Sequence, residues 1–364
     1  MLRDRLRLLI PALLGLAASG LSAQEPAQPS RPLPAAPLFW KGQDYGSDSQ
    51  FNPLTMAIHW TFDTLQVPES FDEHDFHKRW MMVQDNLGHP RDAIRSRGTF
   101  GDFINRQVIP YRMTEPDWIP NYSLHLMGGG MLYRKQAEWL EAQGAPLPRL
   151  TSAVLVMAQE LAAETIEKAS TKRDDEVADV YLFRPLGMLL FSWDRFARFA
   201  SDDLDLTGWA FQPIYDPTVP RVWGGRGRLV NVGQNFVVRP PVFGQKEHRP
   251  FAFFGMTNLF GMSHHLGQGH SLSWGLGAAM VHAQDPTLTR FSGGVFWDRD
   301  NSLLASVIFN GTDNLKVRLN VYPGITGRAS WWSPGLFVGL GDRGDLAVGA
   351  TLRVVPIGWG RGSK

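Results

Sequence analysis

His125 stands in NYSLHLMGGGMLY, four residues after Asn121 and four before Gly129. An imidazole beside three glycines puts an ionisable group where two helices can approach closely. Farther along, Glu160, Glu164 and Glu167 recur at i, i+4 and i+7 in AQELAAETIEK, which sets three carboxylates on one helical stripe. Asp179 follows just before an apolar stretch. A histidine and carboxylates meeting between helices could act as an acid–base pair, with His125 as general base and Glu164 or Asp179 orienting it. They could equally hold a metal, with Glu160, Glu164 and His125 as ligands. Alternatively the glutamates form a solvated face and His125 is a hydrogen-bonded core residue.

Other histidines carry weaker patterns. His74 and His77 in HDFH have the i, i+3 spacing of two ligands on one helix face, but no third ligand accompanies them. His264, His265 and His270 in SHHLGQGH read as a polar turn at the rim of a sheet. Asp194 beside Trp193 has no Ser/His arrangement around it. No nucleophile elbow, P-loop or dinucleotide fingerprint occurs, so the common soluble enzyme classes have no support, and the sequence names no cofactor.

NYSLHLMGGGMLY, the Glu-rich AQELAAETIEK and DEVADVYLFRPLGMLL together resemble the Asn-x3-His, Glu-helix and Asp-x-Gly signature of uncharacterised Gram-negative envelope proteins, the type that includes YfiM-like lipoproteins. The resemblance covers about residues 115 to 195. It implies an envelope location and carries His125, Glu164 and Asp179 as functional positions, without an established activity. This chain departs from the lipoprotein members in lacking a lipidation cysteine and in its strand-rich C-terminal half, so another mode of anchoring is implied.

The elements that must hold these residues are helical at first. NPLTMAIHWTFDTL offers Asn52 as N-cap and Pro53 at the first helical position. Helices are expected up to Gly88, from 121 to Gly144 and across RLTSAVLVMAQELAAETIEKAS. VYLFRPLGMLLFSWDRFARFA is apolar nearly all round, so it is buried between helices or lies against a bilayer. After about residue 225 the period changes to two, and strands are expected near 228–238, 250–260, 271–282, 288–298, 302–310, 315–322, 335–340 and 345–355. No helix intervenes, so the sheet is antiparallel. An extra strand in GWAFQPIYDP would change the count and topology.

In SLSWGLGAAMVH one face carries Leu272, Trp274, Leu276, Ala278 and Met280, and the other only Ser, Gly and Ala. Leu346, Val348, Ala350, Leu352 and Val354 likewise oppose Ala347, Gly349, Thr351 and Arg353. In LKVRLNVY, Lys316 and Arg318 oppose Leu315, Val317 and Leu319. A soluble sandwich has no use for a solvent face of Gly and Ala, whereas a narrow barrel fits small residues in its lumen and turns bulky ones to lipid. Lys316, Arg318 and Arg353 are then expected in the lumen, paired with acids. SLLASVIFN has no clear parity, because Leu303, Leu304, Val307, Ile308 and Phe309 fall on both faces.

Composition agrees with an envelope protein. Arg3, Arg5 and Arg7, an apolar run and Leu21-Ser22-Ala23 form the expected signal peptide over 1–23, followed by a Pro-rich spacer over 24–50. The 364 residues contain no cysteine, hence no disulfide or thiol nucleophile, and the net charge of +1 gives no reason to expect nucleic acid. Thirteen Trp and 22 Phe favour membrane contact, since aromatic side chains collect at membrane interfaces. The expected fold class is α+β: a helical module over 51–200, a connector over 201–227 and an antiparallel β-barrel of about eight strands over 228–364. The function expected is a structural or interaction protein of the outer membrane with lipid as partner. The alternatives are a periplasmic location and a lipid-modifying hydrolase or transferase using His125 with Glu164 and Asp179.

Overall fold

Asn52 and Pro53 open the first long helix as their types require. The Asn52 side-chain oxygen accepts from the N–H groups of Leu54 and Thr55, both at 3.0 Å, and Pro53 has no N–H to leave orphaned. The computed structural model describes residues 37–66, 76–112, 118–167, 174–217, 228–241, 247–281, 289–312, 315–341 and 346–362. The expected leader over 1–23, spacer residues 24–36 and His74 lie outside them. Residues 37–50, expected as spacer, are tied into the fold: the Glu138 carboxylate accepts the backbone N–H groups of Leu38, Phe39 and Trp40 at 3.1, 2.8 and 2.9 Å.

The helices are α1 (Pro53–Thr61), α2 (Phe76–Gly88), α3 (Pro90–Arg95), α4 (Phe100–Phe103, running on through Ile104–Val108), α5 (118–142), α6 (Pro148–Glu167), α7 (175–192) and α8 (194–203). The expected apolar helix breaks at Trp193, whose extended backbone separates α7 from α8. α5 and α7 approach closely at glycines, as the sequence around His125 implied. A methyl group on Gly187 would lie 2.5 Å from the Leu126 carbonyl oxygen, and one on Gly130 would lie 2.7 Å from the Gly187 carbonyl. Gly187→Ala is therefore expected to force the helices apart and lower stability by about 1–3 kcal/mol, measured by chemical denaturation.

His59 fastens α1 to the sheet. Its Nδ1 accepts the Gly233 N–H at 3.0 Å, and burial pushes the imidazole down to about 3. The unfolded chain thus takes up a proton near pH 6.5 that the folded chain refuses until about pH 3, so this group removes stability as the pH falls between them. His59→Asn keeps an acceptor near Nδ1 and cannot titrate. Its unfolding midpoint is expected to fall less between pH 6.5 and 4 than that of the parent.

One sheet of 13 strands follows, and the expected number of about eight is corrected upward. The strands are β1 (Thr207–Ala210), β2 (Ile214–Asp216), β3 (Arg228–Val230), β4 (Gln234–Val238), β5 (His248–Phe254), β6 (Thr257–Gly267), β7 (His270–Met280), β8 (Thr289–Arg299), β9 (Ser302–Phe309), β10 (Leu315–Val321), β11 (Pro334–Gly341), β12 (Leu346–Leu352) and β13 (Gly358–Gly362). The expected connector holds β1 and β2, and the segment expected as one strand at 250–260 is the β5–β6 hairpin turn. From β4 to β13 each strand pairs antiparallel with the next, while β13 pairs in parallel with β2. β1 pairs with β4 and β2 with β3 in a common register, Ala210 opposite Gln234 and Ile214 opposite Val230, with the Phe211 N–H donating to the Gly233 carbonyl between them.

One face of the curled sheet holds an aromatic core. Phe296 lies 5.5 Å from the ring centroids of Trp209 and Phe251 and 4.9 Å from that of Phe253. Ser263, Ser273, Ser292 and Ser306 are buried on the same face and leave room for the rings. The opposite face divides in two. Over β4 and β5 it is covered by the helices, which pack on Phe236, Val238 and Phe254. Over β7, β11 and β12 it is bare, with Leu272, Trp274, Leu276, Leu336, Leu340, Leu346, Val348 and Leu352 all exposed.

Bulges account for one departure from the expected parity and for the strand that had no clear one. A register shift between Leu315 and Val317 turns Leu315 into the interior and Lys316 out to the surface, so Lys316 is not a lumen charge. Beyond the bulge Arg318, Asn320 and Tyr322 point inward as expected. Arg318 donates to the Thr312 carbonyl and hydroxyl oxygens at 3.2 and 2.8 Å. A second shift between Trp297 and Asp298 opposes Leu304, which explains why Leu303 and Leu304 are both buried. Arg353 falls just past β12 and donates to the Ala329 carbonyl at 2.5 Å.

Candidate functional site

Two widened helical turns place the site. Asn121–Gly128 of α5 and Asp179–Phe183 of α7 have the π geometry, with hydrogen bonds five residues back, from Gly129 to Leu124 and from Arg184 to Asp179. Pro185 comes next and has no N–H with which to continue the ladder, which favours the wider turn before it. His125 sits in the first π turn and Asp179 opens the second. Both face α6, whose regular i, i+4 spacing supplies Glu160 and Glu164.

The four residues singled out in the sequence are brought together. His125 Nδ1 hydrogen-bonds Glu160 Oε1 at 2.7 Å, and its Nε2 lies 3.8 Å from Asp179 Oδ2. Glu164 lines the same cavity as His125 and Asp179. Glu160 is 0% and Glu164 5% exposed, so the glutamate stripe is no solvated face, although Glu167 at the rim is exposed. Asn121 is buried beside them but reaches away, donating to Gln107 Oε1 at 2.7 Å, while Gln107 donates to Asp175 at 3.1 Å.

Sequence reasoning missed two partners. Arg184, 1% exposed, pairs with Glu160 and lies 4.0 Å over the Trp60 ring, and Trp60 Nε1 donates to Glu160 Oε2 at 2.7 Å. A single arginine inside the apolar VYLFRPLGMLLF was the available signal for Arg184. Nothing in the sequence marked Trp60.

Burial opposes the charged form of His125, yet Asp179 and Glu160 outweigh it and hold the imidazole up at about 9. Burial likewise disfavours the Glu160 carboxylate, but Arg184 and then His125 prevail and hold it down at about 2. Glu164 and Asp179 go the other way. Burial, reinforced by neighbouring carboxylates, raises both well above the usual range, against the pull of His125 on Asp179. At neutral pH His125 is thus a proton donor held by Glu160, beside two carboxyls that favour their neutral form.

Among the described residues no group of three or more His, Asp or Glu side chains is arranged to hold a metal ion. Glu160 in particular already serves His125, Arg184 and Trp60. The histidines of SHHLGQGH lie on β6 and β7 around the turn at Gln268, and His248 Nδ1 meets His264 Nδ1 at 2.8 Å. They lie apart from the cavity. His77 lies exposed on α2. Comparison of the chain with protein families, with curated proteins and with solved structures finds no match in any of the three.

Proposed function

We propose that this chain is an outer-membrane protein of the Gram-negative envelope that contacts lipid through its sheet and serves there as a structural or interaction component. The observation that carries the reading is the bare apolar face of β7, β11 and β12, opposite an interior of serines, aromatic rings and Arg318. A water-soluble sheet hides its large aliphatics, and a contiguous exposed apolar surface marks a membrane or partner contact. Aromatic residues flank this face at both ends: Phe291 and Phe309 at one, Trp331, Trp332 and Trp359 at the other, each at least 46% exposed. On the helical module Leu182, Leu186 and Leu189 of α7 and Trp193 just past it are exposed as well. The likeness of residues 115 to 195 to YfiM-like envelope proteins points the same way.

The reading includes closure of the sheet into a barrel. β1 and β2 would be two halves of one strand and β3 and β4 of the next, because both pairs share one register. The ring then has eleven strands, with β13 returning to β2. An odd number requires parallel closure, which matches the β13–β2 pair but departs from the even counts usual in bacterial barrels. The aromatic packing of the interior argues against a solute conduit. A lipid-modifying reaction at the helical site would have to use His125 as proton donor, since Glu160 keeps it charged.

Envelope fractionation with gel migration before and after heating tests the reading. The protein is expected in the outer membrane, migrating faster unheated. Recovery in the soluble periplasmic fraction would overturn it. Leu276, 52% exposed at the middle of β7, gives a second readout. Leu276→Arg is expected to cost about 2–4 kcal/mol in a bilayer, whereas a water-facing site would change by less than about 0.5 kcal/mol.

A further inference from the structure

The cavity beside His125 is lined mainly by acidic side chains. Asp63, Glu164, Glu167, Asp175 and Asp179 line it, His125 is its one cationic side chain, and no lysine or arginine borders it among the described residues. Its volume is about 100 Å³, and Phe236, Met256 and Met280 form an apolar wall on the sheet side. Two buried polar atoms of its lining residues lack hydrogen-bond partners: Thr64 Oγ1 and Asp179 Oδ1, on residues 2% and 4% exposed. A buried oxygen without a hydrogen bond is costly and calls for an explanation such as strain, a catalytic role or a bound group.

We infer that this cavity receives a primary ammonium group carried on a short apolar stem, with Asp179 and Thr64 accepting its hydrogen bonds and the methionine and phenylalanine wall packing the stem. An ammonium offers three donors in different directions and no acceptor, which suits two separate oxygens among acidic side chains. An anion would meet five acidic side chains and hold Glu164 and Asp179 in their neutral form, whereas a cation favours their ionisation. A metal ion would need converging ligands, and no such trio exists among the described residues. The cavity also exceeds the roughly 10–15 Å³ of such space that one water needs, leaving room for a few carbon atoms. The ammonium could belong to a free amine or to a lipid headgroup. This inference is independent of the membrane reading, because it uses only the helical module and the residues of the sheet that face it.

Calorimetric titration of the full-length protein in detergent decides it, with n-butylammonium chloride as probe, n-butanol as its uncharged match and magnesium chloride as the metal control. Saturable binding of butylammonium at one site per chain is expected, weakened about tenfold or more by Asp179→Asn and by Thr64→Val, as loss of a charge-assisted hydrogen bond implies. Thr64→Val keeps size and charge and guards against a folding defect in Asp179→Asn. Mixed micelles of phosphatidylethanolamine and, separately, phosphatidylglycerol distinguish the sources. Saturable binding of phosphatidylethanolamine alone assigns the ammonium to a lipid, and binding of butylammonium alone assigns it to a free amine. Equal binding of butanol, magnesium binding that excludes butylammonium, binding of neither amine, or unchanged affinity in both variants would overturn the inference.

Discussion

Glu160→Gln is expected to lower the unfolding free energy by about 3–5 kcal/mol, the cost of leaving a buried charge without its counter-charge. The glutamine preserves shape and can still accept from Trp60, so the loss isolates charge. Two cations depend on that carboxylate: Arg184, 1% exposed, and His125, held at 2.7 Å. The sign of the pH dependence follows from both shifts. Glu160 lies below its unfolded value of 4.5, so its contribution is complete above that pH and fades as the pH falls through about 2. His125 lies above its unfolded value of 6.5, so its contribution is complete below that pH and fades as the pH rises through about 9. The pair therefore stabilises most between pH 4.5 and 6.5, and the variant's deficit in chemical denaturation should be largest there. Its imidazole titration, followed by NMR, should also move down. A deficit under about 1 kcal/mol would mean that water reaches Arg184 and that the network is far weaker than its burial implies.

Much of this site could be read from spacing alone, and the reason is local. Glu160 and Glu164 face one way because α6 is a regular helix, and Asn52 and Pro53 mark the start of α1 by hydrogen-bonding chemistry confined to a few residues. His125 and Asp179 were legible as residue types near glycines and an apolar run, but their meeting depends on two π turns, and a shift from four to five residues in the ladder leaves no periodic trace. Trp60 reaches Glu160 across 100 residues of sequence, a contact fixed only by tertiary packing. The sequence also left open whether the carboxylates met solvent. Their burial under the outer face of β4, where Phe236 and Gln234 close the cavity, could not be inferred because β4 lies inside a segment read as one uninterrupted strand.

The strands show the same division. Where parity ran unbroken, as in β7 and β12, the bulky face lies outward and Ser273 and Thr351 lie inward. Where one extra residue enters, as in β10, everything before it changes side, and no composition signal announces a bulge. β13 was missed because Gly358-Trp-Gly-Arg-Gly362 is too poor in β-branched residues to read as a strand, and pairing with β12 and β2 supplies what propensity does not.

Removing Arg239 should be as damaging as removing Glu160, for a related reason at the other end of the molecule. Arg239 is 2% exposed just past β4, where it donates to Asp298 Oδ1 at 2.7 Å and Asn301 Oδ1 at 2.6 Å and lies 3.2 Å from Asp205 Oδ2. It thereby joins the end of the helical module and the end of β4 to β8 and the β8–β9 turn. Arg239→Met retains most of the packing against Trp209, whose ring lies 5.5 Å from the guanidinium carbon, but strands Asp298 at 1% exposure. A loss of about 3–5 kcal/mol is expected in chemical denaturation. Most of that cost is the orphaned carboxylate rather than the missing attraction, so Arg239→Met combined with Asp298→Asn should regain about 1–3 kcal/mol relative to the single change. If the double variant is no more stable than Arg239→Met, then the arginine acts chiefly through its bonds to Asn301 and Asp205, and the clamp between helices and sheet, not the buried ion pair, holds this end together.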